Sequence, residues 1–141
     1  MKYHFKIKKE KSGFSASCIE LIGCRTEADT REELLKNMQE ALNLYLDEPA
    51  TSHEVFPLPK ERIRGRTIIE VECDVRIAFA LLMRQARLKE QLTQRKAAEK
   101  LGYANVFAYQ KLENGETANP TLTTIKKIKE VLPKLNLKFV F

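Results

Sequence analysis

Gln110 and Lys111 stand side by side in the run VFAYQKLE, Val106–Glu113. A glutamine amide can make a two-point contact with an adenine edge, and a lysine can donate to guanine acceptors or to a phosphate. With Leu112 set inward and about 100° stepped per residue along a helix, Asn105, Ala108 and Tyr109 share the inward side. Val106, Phe107, Gln110 and Lys111 share the opposite side. Val106 and Phe107 can offer only apolar contacts there, either to thymine methyl groups or to a neighbouring apolar surface. Upstream, Thr93, Gln94 and Arg95 open another helical run, with Lys96 next. The free amides of a helix start, a glutamine side chain and nearby cations together suit a phosphate group.

Other chemistries find less support. Metal-assisted hydrolysis needs several carboxylates converging on one ion, and Glu10, Glu20 and Asp29 show no such spacing. His4 and His53 have no nucleophile or acid partner visible in the chain order and read as ordinary core or surface histidines. Cys18, Cys24 and Cys73 are odd in number and lack a CxxC pair, so they read as reduced, buried thiols and not as a disulfide framework or a zinc site. The expectation is a chain that is not an enzyme and takes no metal or cofactor.

The elements that would position these residues follow from periodicity. Tyr3–Glu10 alternates like a half-buried strand, Lys11-Ser12-Gly13 turns the chain, and Phe14–Leu21 forms the return strand. Cys24–Glu27 makes a short third strand. Thr30, with Glu33 three residues later, is a capping box for a helix whose stripe is Leu34, Met38, Ala41, Leu42, Tyr45 and Leu46. Pro49 to Arg66 reads as loop and Thr67–Cys73 as a last strand, giving a β-β-β-α-β order. Asp74 then begins a helix-rich half. Thr93 caps QRKAAEKL and Gly102 ends it. Asn105 caps the helix Val106–Glu113. Asn119-Pro120-Thr121 starts LTTIKKIKEVL, with Leu122, Ile125, Ile128 and Leu132 inward. The closing LNLKFVF alternates like a strand and would need a partner, more naturally a second copy than the first sheet.

The fold class expected is therefore α+β, with residues 1–73 as a small mixed domain and residues 74–141 as an all-α domain with a short C-terminal strand. At 141 residues with 43% hydrophobic and 31% charged content the composition is that of a globular chain. No run approaches a membrane span and no apolar leader opens the chain, so a cytoplasmic location is expected. Split at Pro59, residues 1–59 carry 8 Lys and Arg against 10 Asp and Glu, a balance of −2, and residues 60–141 carry 17 against 9, a balance of +8. A basic half is the natural one to meet a nucleic acid.

Two family resemblances cover most of the chain. GFSASCIELIGCRTEADTREELLKNMQEALNLYLDE resembles the N-terminal domain of HicB antitoxins, through Leu21-Ile22-Gly23-Cys24, Thr30, Glu32-Glu33, Ala41-Leu42 and Tyr45-Leu46. Ile22 stands where that pattern usually has proline. Leu92-Thr93-Gln94, Ala98–Gly102, Leu112-Glu113-Asn114-Gly115 and Asn119–Leu122 resemble a Cro/repressor-type helix-turn-helix in register. The first resemblance implies a reduced ribonuclease-H-like domain that binds a HicA-type, RNA-cleaving toxin. The second implies a homodimer or higher oligomer on double-stranded operator DNA, with Asn114 and Gly115 near phosphate. Gly102 to Gly115 is one residue longer than that family's usual span, and the surplus falls at Tyr103-Ala104-Asn105. The resemblances leave open a transcription regulator without a toxin, or a nuclease of the ribonuclease-H type using Glu20 or Asp29.

Overall fold

The computed structural model describes all 141 residues, Met1–Phe141. They form two compact units, Met1–Leu46 with Phe56–Asp74, and Asp47–Val55 with Val75–Phe141. No helix is long and apolar enough to cross a membrane.

The first unit contains strands β1 (Lys2–Lys9), β2 (Phe14–Cys18) and β3 (Arg25–Ala28), helix α1 (Arg31–Leu46) and strand β4 (Ile68–Glu72). The sheet order is β3-β2-β1-β4 and every neighbouring pair is antiparallel. β1 is central because its alternation sends Tyr3, Phe5 and Ile7 to one face, where all three are buried. Phe5 opposite Cys18 and Ile7 opposite Ala16 extend that face across β2. Leu34, Met38, Leu42 and Leu46 of α1 are buried at helical spacing and supply the second layer. Each such side chain contributes about 1.5–3 kcal/mol by leaving water, which outweighs the weak propensity of any single strand. The Thr30 hydroxyl accepts from the Glu33 amide at 3.2 Å and fixes the start of α1. Its far end is tied down where Tyr45 donates to the Ile22 carbonyl at 2.7 Å. Gly13 has φ +81°, and an added Cβ would run into the Ala28 carbonyl oxygen, so the hairpin turn admits only glycine.

The second unit contains α2 (Val75–Lys89), α3 (Gln94–Leu101), α4 (Val106–Gln110), a 3-10 turn (Lys111–Glu113), α5 (Leu122–Val131) and a final 3-10 turn (Leu137–Phe139). Thr93, Asn105 and Thr121 each cap the following helix by accepting a backbone amide with the side chain. Gly102 closes α3 in the left-handed conformation at φ +77°. α3 packs against both α4 and α5.

Two expectations fail here. The C-terminal residues form no strand. Without a neighbouring strand, the Asn136 side chain accepts from the Lys138 amide at 3.2 Å and the Val140 amide bonds the Leu137 carbonyl at 2.9 Å. That local turn satisfies the backbone, and it points Leu135 and Val140 inward while Phe141 is exposed. Leu122 is also exposed, because it is the first residue after the Thr121 cap, and Ile128 and Leu132 fill the interior instead.

The unit boundaries change the charge distribution. Segment 47–55 carries Asp47, Glu48 and Glu54, and belongs to the second unit, whereas Lys60, Arg62, Arg64 and Arg66 belong to the first. The first unit then has 12 Lys and Arg against 11 Asp and Glu, a balance of +1. The second has 13 against 8, a balance of +5. A split at Pro59 cuts through the first unit, and so its acidic half does not exist as a body.

Candidate nucleic-acid interface

Helix α4 is short, and its inward residues hold it in place. Tyr109 and Leu112 are buried, and Ala108 is half-buried. On the other side Phe107 is 71% exposed and Lys111 is exposed. Val106 and Gln110 are half-buried. The helix wheel therefore places Phe107 and Lys111 as the structure does. Arg95, Ala98, Glu99, Tyr103, Ala104, Asn105, Val106 and Phe107 line an open cleft where α3 turns into α4. The surplus residue at Tyr103-Ala104-Asn105 lies in its wall.

Gln94 and Gln110 are joined. Gln110 Nε2 donates to Gln94 Oε1 at 3.0 Å, and Gln94 Nε2 donates to Glu113 Oε2 at 3.1 Å and to the Ala50 carbonyl. Thr93 is exposed and spends its hydroxyl oxygen on the Lys96 amide at 3.1 Å. Arg95 is exposed at the same helix start. Asn114 shapes the turn after α4. Its side chain accepts from the Glu116 amide at 2.9 Å, and its carbonyl accepts from the amides of Thr117 and Ala118. Thr93, Gln94 and Asn114 thus all have partners within the unit.

Beneath this surface lies a charged cluster that chain order does not reveal. The Glu113 carboxylate is fully buried and takes four donors. Arg87 Nε and the Tyr109 hydroxyl reach Oε1 at 2.6 Å each, and Arg87 Nη2 and Gln94 Nε2 reach Oε2 at 3.1 Å each. Arg84, also buried, donates to the carbonyls of Glu113 and Pro49 at 3.2 and 3.0 Å, while its Nε has no hydrogen-bond partner. Burial and the adjacent Glu113 carboxylate push the Tyr109 phenol well up, so it remains a donor. Burial pulls Arg87 down, but the bonded Glu113 carboxylate outweighs that and leaves it above its ordinary value. For Arg84 burial wins over the opposing pull of Glu113 and Glu48, and its value falls. The only hint in the sequence was Arg84-Gln85 and Arg87 interrupting an otherwise apolar helix.

Residues 83–137 match the helix-turn-helix family. This stretch is a DNA-binding unit of the kind found in transcription regulators. A UPF0150 protein of Synechocystis sp. is 37% identical to the chain over 62 residues, covering 42% of the chain and 76% of that relative. The chain belongs to the UPF0150 family.

The first unit of this UPF0150 protein holds a second buried polar cluster. His4 is buried, and its Nδ1 lies 2.6 Å from Glu20 Oε1. Glu20 also accepts from the His4 amide at 3.0 Å, the Lys60 amide at 3.3 Å and the Cys18 thiol at 3.6 Å. The reading of His4 as a histidine without an acid partner is corrected: the hairpin brings Glu20, just beyond β2, against His4 of β1. Burial alone would raise the Glu20 carboxyl, but the His4 ring and the amides hold it below its ordinary value. No group of three or more His, Cys, Asp or Glu side chains is placed to hold a metal ion.

Proposed function

We propose that this UPF0150 protein is an antitoxin that also represses its own operon from the cytoplasm. Residues 74–141 bind operator DNA as a dimer, and residues 1–73, with a reduced ribonuclease-H-like fold, cover a HicA-type RNA-cleaving toxin. The observation that carries the DNA half is α4 itself, held from below by Tyr109 and Leu112 while Phe107 and Lys111 face solvent. Val106, Phe107, Gln110 and Lys111 read the groove. Thr93, Gln94, Arg95 and Asn114 hold the phosphate backbone, favoured by the +5 balance of their unit. The toxin half rests on the likeness of the α1 segment and its preceding turn to HicB antitoxins.

Replacing Lys111 and Gln110 together by Ala should weaken operator binding about fivefold to a hundredfold, at about 1–3 kcal/mol for a lost two-point base contact. Toxin neutralisation should be unchanged. Wild-type operator affinity in the double variant would remove the groove assignment. A regulator acting without a toxin is the second reading, favoured by the +1 balance of the first unit, which gives no general attraction for a basic partner. Co-purification with the product of a neighbouring gene encoding a small basic protein separates the two.

A further inference from the structure

Segment 47–55 connects α1 to the loop before β4, yet it packs within the helix-turn-helix unit. Arg84 Nη2 grips its backbone, donating to the Pro49 carbonyl at 3.0 Å and reaching the Glu48 carbonyl at 3.4 Å. A local turn stiffens it, with the Ser52 amide on the Pro49 carbonyl at 2.9 Å and the Glu54 amide on Ser52 Oγ at 3.0 Å. Its tip lies along the start of α3, where Thr51 and His53 share a groove with Gln91, Thr93 and Gln94.

The strap bears on Gln94, a proposed phosphate contact, and on Gly115, which the helix-turn-helix resemblance puts near phosphate. The Gln94 amide donates to the Ala50 carbonyl and to Glu113, which leaves it neither N–H for a ligand. Gly115 lies against Asp47 so closely that a Cβ there would sit 2.7 Å from Asp47 Oδ1. The strap also carries Asp47, Glu48 and Glu54 and contains no Lys or Arg. A phosphate approaching Gln94 at the start of α3 therefore meets the Ala50 carbonyl, and one approaching Gly115 meets the Asp47 carboxylate.

We infer that segment 47–55 is an autoinhibitory strap that competes with DNA phosphate for Gln94 and for the chain around Gly115. It must lift for full DNA contact. The inference rests on the DNA-binding reading of this unit. Both ends of the strap continue into the first unit, at Leu46 and Phe56. A partner bound there has a covalent route to the strap, so one event can change both occupancy and DNA affinity.

The test uses the full chain and a labelled duplex of arbitrary sequence, followed by fluorescence anisotropy at low and moderate salt. One variant neutralises the strap, with Asp47→Asn, Glu48→Gln and Glu54→Gln. A second loosens it, with Pro49→Gly and Thr51→Gly. Arg95→Ala is the control for the DNA face. Both strap variants should bind about three- to tenfold tighter at low salt, and the gain from neutralisation should shrink as salt rises. Unchanged or weaker binding in both, with Arg95→Ala still weakening it, overturns the strap and leaves the DNA reading intact. If no form binds duplex at either salt, both fall.

Discussion

Glu113→Ala removes the one acceptor that Arg87, Tyr109 and Gln94 share. Four hydrogen bonds end on that buried carboxylate, two of them from a single guanidinium, and all but the one from half-buried Gln94 are closed to solvent. Losing one partner of a buried ion pair costs about 3–5 kcal/mol, mainly because the other charge stays buried and uncompensated. A whole domain is stable by about 5–15 kcal/mol, so the second unit should be left marginal or unfolded. At about 4–8 °C per kcal/mol for a domain of this size, its melting temperature should fall by roughly 12–40 °C. The assay is urea and thermal unfolding followed by far-ultraviolet circular dichroism, with hydrogen exchange at α4 amides assigning the loss to this unit. Arg87→Met combined with Glu113→Leu should recover part of it, since the apolar pair removes the Arg87 charge that the single variant strands. Only Arg84 is left, and it keeps its bonds to the Pro49 and Glu113 carbonyls. A loss below about 1 kcal/mol in Glu113→Ala, or a double variant worse than the single, would refute the claim that this cluster holds α4 in place.

Phe107→Ala should leave the urea midpoint within about 0.5 kcal/mol of wild type, because a surface side chain away from caps and clusters contributes little. It should nevertheless weaken operator binding; a clear drop in stability instead would mean that Phe107 packs against something in solution. Glu20 titrates below its ordinary value in the folded chain because of His4 and the amides. Its stabilisation is therefore present above the ordinary carboxylate value and is lost as pH falls through the lowered one. The stability gap between wild type and Glu20→Gln should close on acidification from neutral pH to about pH 3, and a gap that stays constant would sink the assignment.

What could be read from residue order was whatever depends on short-range rules. Thr30, Thr93 and Asn105 cap helices, Gly13 and Gly102 turn the chain with positive φ, and the alternation of Tyr3, Phe5 and Ile7 builds the sheet face. The exposure of Phe107 and Lys111 on α4 followed from setting one residue, Leu112, inward, whereas Val106 and Gln110 are half-buried. Contacts made at long sequence separation were hidden. Glu113 meets Arg87 across 26 positions and His4 meets Glu20 across 16, and no local pattern links either pair. The C-terminal run misled because alternation alone does not make a strand; Asn136 offered the backbone a local turn. The charge reading went astray for a related reason. A composition boundary at Pro59 is not a packing boundary, since the chain visits the second unit at 47–55 and returns before crossing for good after Asp74.

These hidden contacts alter how DNA-binding data on this chain must be interpreted. Gln94 and Gln110 belong at once to the proposed interface and to the Glu113 cluster, through the chain Gln110–Gln94–Glu113. Truncating either removes a possible groove or phosphate contact, but it also leaves buried groups without partners and loosens α4 from α3. Affinity lost by such a variant is a mixture of both effects, and neighbours in one network do not contribute additively. Lys111, Arg95 and Phe107 are exposed and lie outside the network, so affinity lost on replacing them measures contact with the ligand. If Lys111 meets a phosphate, replacing it should lower the salt dependence of binding and leave sequence preference alone; if it meets a base edge, replacing it should relax sequence preference. Glu113 is the opposite case. It touches no ligand, and its effect on DNA binding should track the fraction of the second unit that remains folded.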